Sequence, residues 1–208
     1  MKYFVKTPWW LKKLYPSYIW NIKINEKVIY LTFDDGPHPV ATLFVLNTLK
    51  KYNAKATFFC IGKNVKEYQE IYKKVIEAGH SVGNHTYNHL NGWKTSKEIY
   101  LDDVIKAAGI IDSFLFRPPY GRITKEQAKQ IKKAVNDPKA KIIMWSVLSG
   151  DFDSSNTKEN CLDNVVKHVR PGSIIVFHDS EKAFPLMSHT LEGSLKYFSE
   201  NGYRFEAL

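Results

Sequence analysis

Residues 28–37 read VIYLTFDDGP, a run of mostly β-branched and aromatic residues that ends in two aspartates and a Gly-Pro pair. Such runs favour extended strands, and Gly-Pro is typical of the loop that follows one. The stretch therefore predicts a β-strand that delivers Asp34 and Asp35 to its C-terminal end. A simple turn is the alternative for DDGP, and the stretch alone does not decide between the two.

On both sides of this stretch, short apolar runs alternate with longer amphipathic ones, as in β/α units around a parallel sheet. Further strands are predicted at 55–60, 80–83, 114–116, 141–147, 173–177 and 203–205. Helices are predicted at 40–52, 65–78, 96–108, 124–135, 157–169 and 187–200. An open doubly wound sheet and a closed barrel both accommodate this order.

Polar residues follow five of the predicted strands, each just past the C-terminal end: Asp34-Asp35, Asn84-His85, Arg117, Ser149 with Asp151, and His178-Asp179. In a closed barrel all of these ends meet at one mouth, whereas an open sheet gathers only the loops near its switch point. The pattern therefore favours an α/β barrel with its active site at the C-terminal ends of the strands.

Composition fits one compact globular domain, because the 208 residues are 44% hydrophobic and 25% charged. A net charge of +9 could indicate nucleic acid, an anionic polymer or only solubility. The lysines fall in pairs on predicted outer helix faces without interleaved aromatic residues, which favours a solvated surface. We expect a monomer that binds no nucleic acid.

The N-terminal residues 1–26 are rich in aromatic and basic side chains, and we expect them to pack on a domain formed by residues 27–208. The aromatic side chains concerned are Trp9, Trp10, Tyr15, Tyr18 and Trp20. Placement at a membrane interface is the less favoured alternative. Neither a cleavable leader nor a membrane-spanning run is evident, so a cytoplasmic location is the default expectation.

The segment HTYNH separates His85 and His89 by four positions, a spacing that on one helical turn would place both rings on the same face. With a free carboxylate such as Asp35, the pair would complete a site of two imidazoles and one carboxylate. Such a site leaves coordination positions open for water and substrate. It suits Zn²⁺ first, and also Co²⁺, Ni²⁺ or Fe²⁺.

Two further residues are candidates for chemistry at the same end of the barrel. Arg117 opens the segment RPPYG, in which two prolines fix the backbone, and its planar fork suits the orientation of a buried carboxylate. His178 ends an apolar strand, where an imidazole is a natural general acid near neutral pH. A surface arginine and a structural histidine are the alternatives.

The order of these segments, TFDDGP, HTYNH, RPPYG, an aspartate after a Trp-bearing strand, and a strand ending in His-Asp, resembles the polysaccharide deacetylases of carbohydrate esterase family 4, the NodB-homology proteins. The resemblance covers nearly the whole chain. It implies a distorted (β/α)7-type, TIM-like barrel with its active site at the C-terminal ends of the strands. It also implies a divalent metal that supports hydrolysis of N-acetyl, sometimes O-acetyl, groups. The implied substrates are acetylated polysaccharides or oligosaccharides such as those containing N-acetylglucosamine.

The resemblance also implies a role for each matching residue. Asp34 would be the catalytic base and His178 the general acid, while Asp35, His85 and His89 would bind the metal. Positioning and oxyanion roles fall to Arg117 beside Asp34, Asp151 beside His178, and the backbone N–H of Tyr120.

The chain departs from the family pattern in the residues expected to line the pocket. Leu148 and Phe152 stand where the family usually has Asp and Trp, and Val176 stands where it usually has Leu. Pro118 completes the expected lining. These changes leave the metal and proton-transfer groups intact but put the fit of the substrate in question. A catalytically inactive or carbohydrate-binding homologue is therefore the alternative function.

Overall fold

The computed structural model describes residues 3–208, and within that range the chain forms eight strands and eight α-helices. The strands are β1 (Val28–Asp34), β2 (Ala56–Cys60), β3 (Ser81–Asn84), β4 (Leu115–Phe116), β5 (Lys141–Ile142), β6 (Val147–Leu148), β7 (Ile174–His178) and β8 (Arg204–Phe205). The helices are α1 (Trp9–Leu14), α2 (Ala41–Lys51), α3 (Gly62–Glu67), α4 (Gln69–Glu77), α5 (Lys97–Ala108), α6 (Lys125–Ala134), α7 (Lys158–His168) and α8 (Phe184–Glu200).

The strands pair in parallel in the order β5-β4-β3-β2-β1-β7-β6, with β8 paired to the start of β1. Both ends of this path, β5 and β6, belong to the same run of residues 141–148, so the seven strands follow one another around a distorted barrel that is interrupted between β5 and β6. The predicted α/β barrel is thereby confirmed, and the open doubly wound alternative is wrong.

The prediction of one continuous strand at 141–147 is also wrong, because the run is broken between Ile142 and Val147. Two neighbours occupy the backbone groups of the break. The side chain of Arg117 donates to the carbonyl oxygens of Ile143 and Met144, at 3.2 and 3.1 Å. The N–H of Met144 donates to the carbonyl of Ile19 at 2.7 Å. These bonds take the place of ladder bonds to a neighbouring strand.

Strand β1 is buried along its whole length and divides its side chains between two environments. Ile29, Leu31 and Phe33 pack in the main hydrophobic core with apolar side chains of α2 and α8. Because side chains alternate along a strand, Thr32 and Asp34 point to the other face, into the barrel. The helices thus cover an apolar outer face, and the polar residues are directed to the interior.

The predicted helix 65–78 is instead two helices, α3 and α4, which meet at Tyr68 with φ −117° and ψ 51°. The first of them begins earlier than predicted and has a partner outside its own segment. The N–H groups of Gly62 and Lys63 donate to the carbonyls of Thr86 and Tyr87, at 2.9 and 3.0 Å. Helix α3 is therefore held against the loop that carries the histidine pair.

Residues 1 and 2 of the predicted N-terminal segment lie outside the described residues. The remainder crosses the broken run 141–148, with backbone bonds from Thr7 N–H to the carbonyl of Ser146 at 3.0 Å and from Leu148 N–H to the carbonyl of Val5 at 2.8 Å. Trp20 is buried, whereas Trp9 is 69% exposed. None of the helices within residues 3–208 has the length and hydrophobicity needed to cross a bilayer.

Candidate active site

The polar residues singled out in the sequence lie together at the C-terminal ends of the barrel strands. Asp34 ends β1 and is the register partner of His178 on the adjacent strand β7. Asn84, the last residue of β3, pairs with Phe116 of β4, so the segments that begin at His85 and at Arg117 leave neighbouring strands. The structure therefore brings the predicted carboxylates, imidazoles and guanidinium to one mouth.

Asp35, His85 and His89 form a cluster in which the potential ligand atoms all lie within 4.8 Å of one another. Oδ1 of Asp35 is 3.1 Å from Nε2 of His89 and 3.7 Å from Nε2 of His85. This oxygen is buried and accepts no hydrogen bond from any described residue. An unpaired buried carboxylate oxygen is costly, and a cation between these three side chains would satisfy it.

The loop that carries the two histidines is not helical, so the predicted helical turn is wrong. Thr86 and His89 both have left-handed backbone conformations, with φ of 63° and 58°. The side chain of Asn84 accepts the N–H of Thr86 at 2.8 Å and supports the first of these turns. The two rings still approach, with centroids 5.1 Å apart, because the loop doubles back on itself.

Asp103, on helix α5, holds this loop in place through hydrogen bonds. The sequence analysis did not identify it. Its carboxylate accepts the backbone N–H groups of Tyr87 and Asn88, at 2.9 and 2.8 Å, and the side-chain amide of Asn88. A carboxylate that accepts two successive N–H groups holds a non-helical backbone in place. Nothing in the helical pattern of residues 96–108 distinguishes Asp103 from a surface aspartate.

His85 is buried, and its hydrogen bond selects one tautomer. Nδ1 lies 2.8 Å from the carbonyl oxygen of Arg117, which can only accept, so Nδ1 carries the proton and Nε2 is free to bind a cation. Burial lowers the pKa of His85 to about 4, against the opposing charges of Asp34 and Asp35. The ring is therefore neutral near pH 7, the form that binds metals.

Arg117 is completely buried and uses its guanidinium to hold Asp34. Nη1 donates to Oδ1 of Asp34 and to Oγ1 of Thr32, both at 2.7 Å, and the plane of the group stacks on Phe59 at 4.0 Å. With the two carbonyls of the broken run also accepting from it, each of the three nitrogens of the buried group donates at least one hydrogen bond. Oδ2 of Asp34 is left facing His85, 4.0 Å from Nε2.

His178 is held by Asp151 through two hydrogen bonds. Nδ1 of the ring lies 2.8 Å from Oδ1 of Asp151, and the backbone N–H of His178 donates to Oδ2 at 2.9 Å. Burial lowers the pKa of His178, but the Asp151 carboxylate outweighs burial and raises the pKa to about 9, with smaller contributions from Asp35 and Asp34. The ring is therefore protonated at neutral pH and has Nε2 available as a donor.

The remaining predicted residues surround these groups. Tyr120 lies in a short 3₁₀ helix with φ 60°, and its ring centroid is 4.7 Å from that of His89. Pro118 is buried and precedes that helix. The ring of Phe152 lies 5.1 Å from His178. Val176 is buried on β7, two residues before His178 and on the same face, with Leu148 as its register partner.

Asp179 is a second buried residue to which the sequence analysis assigned no role. Its Oδ1 accepts the backbone N–H of Gly36 at 3.0 Å, its Oδ2 accepts the hydroxyl of Thr42, and its own N–H donates to the carbonyl of Asp34 at 3.1 Å. Burial raises the pKa of Asp179 to about 8. Its position next to His178 marked Asp179 as a polar residue of the mouth, but no sequence signal indicated its contact with the DDGP loop.

A parallel α/β barrel that presents an Asp-His-His cluster between a buried Arg–Asp pair and an Asp–His pair has the architecture of a metal-dependent hydrolase. The family model for polysaccharide deacetylases matches residues 21–137, and the chain belongs to that family. The family predicted from the order of motifs is thereby confirmed, and with it the class of enzyme, a carbohydrate deacetylase.

Two relatives and one solved structure place the chain within the family. It is 35% identical over 202 residues to a peptidoglycan-N-acetylglucosamine deacetylase of Bacillus cereus, covering 93% of each chain. It is 36% identical over 166 residues to a chitooligosaccharide deacetylase of Azorhizobium caulinodans, covering 76% of this chain and 77% of the relative. The crystal structure of the Bc1960 peptidoglycan N-acetylglucosamine deacetylase superposes with a TM-score of 0.85 at 31% identity, over 97% of this chain and 95% of the other.

Proposed function

We propose that the protein removes the N-acetyl group from an N-acetylglucosamine-type residue of a polysaccharide or oligosaccharide. The observation that carries the proposal is that the Asp35, His85 and His89 cluster lies at the same mouth as the Arg117–Asp34 pair and the Asp151–His178 pair. Relatives named for peptidoglycan and for chitooligosaccharides support a GlcNAc-containing substrate. They differ in the polymer, so the choice between the two glycans is left to experiment.

The cluster of Asp35, His85 and His89 fits a divalent cation, because it combines an unpartnered buried oxygen with a neutral imidazole whose Nε2 is free. Zn²⁺ is the proposed ion, and Co²⁺, Ni²⁺ and Fe²⁺ accept the same donors. When bound, the ion would polarise the acetyl carbonyl and make water in the site more acidic.

Asp34 is the proposed general base. Arg117 occupies Oδ1 and leaves Oδ2 directed towards the imidazole of His85. A proton from the attacking water would pass to this Oδ2. The buried guanidinium keeps the carboxylate in one orientation, with Oδ2 directed away from Arg117 and towards the histidine cluster.

His178 is the proposed general acid. Asp151 accepts from Nδ1, so Nε2 would donate the proton that converts the sugar nitrogen into an amine leaving group. The raised pKa of His178 keeps that proton available at neutral pH. Asp151 acts as a positioning residue in this scheme, since it contacts the imidazole and not the substrate.

The backbone N–H of Tyr120 is the proposed donor to the oxyanion that forms when water attacks the carbonyl. The loss of one such donor typically lowers the rate by about 10²–10³. Pro118, Phe152 and Val176 are proposed to line the pocket for the acetyl group and the sugar. The left-handed conformation of Tyr120 turns the backbone beside His89, at the edge of the Asp35, His85 and His89 cluster.

The test is release of acetate from N-acetylglucosamine oligomers, peptidoglycan fragments and acetylxylan, measured with chelated, Zn²⁺-loaded and Co²⁺-loaded protein. We expect metal-dependent release from at least one GlcNAc-containing substrate and release slower by about 10²–10⁴ in the Asp34→Asn variant. If the metal is bound and no substrate releases acetate, while oligosaccharide binding persists, the carbohydrate-binding alternative replaces the proposal. Release from acetylxylan alone would show that the hydrolysed bond is an O-acetyl ester and not an N-acetyl amide.

A further inference from the structure

A series of aromatic ring contacts extends from the N-terminal segment to His178. The ring of Tyr3 lies 5.0 Å from that of Phe152, which lies 5.1 Å from the imidazole of His178. We propose that Tyr3 is a positioning residue of the active site, which acts through Phe152 on the orientation of His178. The proposal rests on the proposed function of His178 as the general acid.

Backbone pairing determines where Tyr3 lies. Val5 accepts the N–H of Leu148, and the N–H of Thr7 donates to Ser146, so this part of the chain runs antiparallel to β6. Tyr3 therefore lies beside the residues that follow β6. Those residues begin the loop that contains Asp151, the hydrogen-bonding partner of His178.

The hydroxyl group of Tyr3 is tied to the same loop. Nδ2 of Asn156 donates to Oη of Tyr3 at 2.7 Å and to the carbonyl of Gly150 at 2.8 Å. Gly150 has φ 84°, and a Cβ there would lie 2.9 Å from Oη of Tyr3. The phenol thus packs against the backbone one residue before Asp151.

The imidazole of His178 is fixed on two sides by this loop. Asp151 holds its Nδ1 edge, and Phe152 contacts the ring at an interplanar angle of 64°. Within residues 3–208, the aromatic contacts of Phe152 are with His178 and Tyr3. Removal of the Tyr3 ring would leave Phe152 free to withdraw from His178, and small displacements of a catalytic group cost large factors in rate.

The experiment compares Tyr3→Ala and Tyr3→Phe with a matched control, Phe4→Ala. Phe4 is the next residue, is 61% exposed, and has its ring near Trp10, away from His178. We expect Tyr3→Ala to lower kcat by about tenfold or more with KM changed less than about threefold, since an oriented acid contributes about 10²–10⁴ to the rate. Tyr3→Phe keeps the ring and should stay near the wild-type rate, as should Phe4→Ala.

A second readout does not depend on turnover. The ring Cε1–H signal of His178 in Zn²⁺-loaded protein, assigned by its loss in His178→Gln, should move in Tyr3→Ala and stay in place in Phe4→Ala. Wild-type protein that releases no acetate would overturn the proposed function. The His178 signal would still report on the contact between Phe152 and His178. Tyr3→Ala with an unmoved His178 signal overturns the positioning role, whether or not kcat changes.

Discussion

The carboxylate of Asp179 lies directly against Gly36, with the backbone N–H of Gly36 bonded to Oδ1 at 3.0 Å and room for no side chain between them. A Cβ on Gly36 would lie 2.1 Å from Oδ2 of Asp179. The end of β7 therefore clamps the loop that carries Asp35. The requirement for glycine here comes from the close approach of the two loops that follow the adjacent strands β1 and β7.

This contact makes Gly36→Ala a test of how the loop is held. We expect the substitution to lower the free energy of unfolding by about 1–3 kcal/mol, as overpacking does, and to reduce acetate release by displacing Asp35. Denaturant unfolding measures the change in stability, and acetate release measures the change in activity. Gly109→Ala is the control, because its nearest neighbour atom would lie 3.6 Å from the new Cβ. Equal stability and activity in the two variants would contradict the prediction.

His85→Ala and Asp34→Asn should separate binding of the metal from turnover. Loss of the His85 ring removes one of three donors, so we expect metal content and activity to fall together. Asp34→Asn leaves the three donors in place, so metal content should stay near wild type while kcat falls by about 10²–10⁴, the contribution of a general base. Metal content and acetate release, measured on the same samples, show whether the two variants separate metal binding from turnover. A near wild-type rate in Asp34→Asn would show that the base is misassigned.

Asp151→Asn should move the alkaline limb of the pH profile. In the wild-type protein the negative charges of Asp151, Asp35 and Asp34 raise the pKa of His178 to about 9 against burial, so activity falls as pH rises through that value. Without the Asp151 charge, burial lowers the pKa of His178, and the loss of activity should begin at lower pH. The measurement is kcat against pH for both proteins; an unmoved alkaline limb would exclude His178 as the acid.

Arg117→Met should be among the most destabilising single substitutions in the barrel. It leaves the buried Asp34 carboxylate without its partner, and breaking a buried pair in this way costs about 3–5 kcal/mol. Combining it with Asp34→Asn should cost less than the sum of the single effects, because the stranded charge is gone. Arg122→Met is the matched control: Arg122 is exposed and only stacks on Trp93 at 4.3 Å. If the losses in free energy of unfolding simply add in the double variant, Arg117 and Asp34 are not energetically coupled.

The barrel could be predicted because its local signals agree. Strands with polar residues at their C-terminal ends recur five times along the chain, and a barrel brings all five ends to one mouth, whereas an open sheet gathers only those near its switch point. Residues such as Asp34, His85 and His178 were recognisable by type and position. Their meeting at one mouth follows from the parallel topology and needs no knowledge of distant contacts.

The features that could not be predicted depend on partners far along the chain. The loop from His85 to His89 is held in left-handed conformations by Asp103, which accepts the N–H groups of Tyr87 and Asn88. No local sequence pattern indicates that contact. The break after Ile142 exists because Arg117 takes the carbonyls of the following residues. Asp179 and its glycine partner are 143 positions apart.

The pairing of residues 5–7 with residues 146–148 also has a consequence for synthesis of the chain. Thr7 and the carbonyl of Trp145 that accepts its hydroxyl are 138 positions apart. At about 5–20 residues per second, the N-terminal segment waits roughly 7–28 s on the ribosome before its partners are made. Strands β1 to β4 can assemble during that wait, whereas closure of the barrel cannot. Capture of the N-terminal segment is therefore a late folding event, although the segment is translated before all eight strands of the barrel.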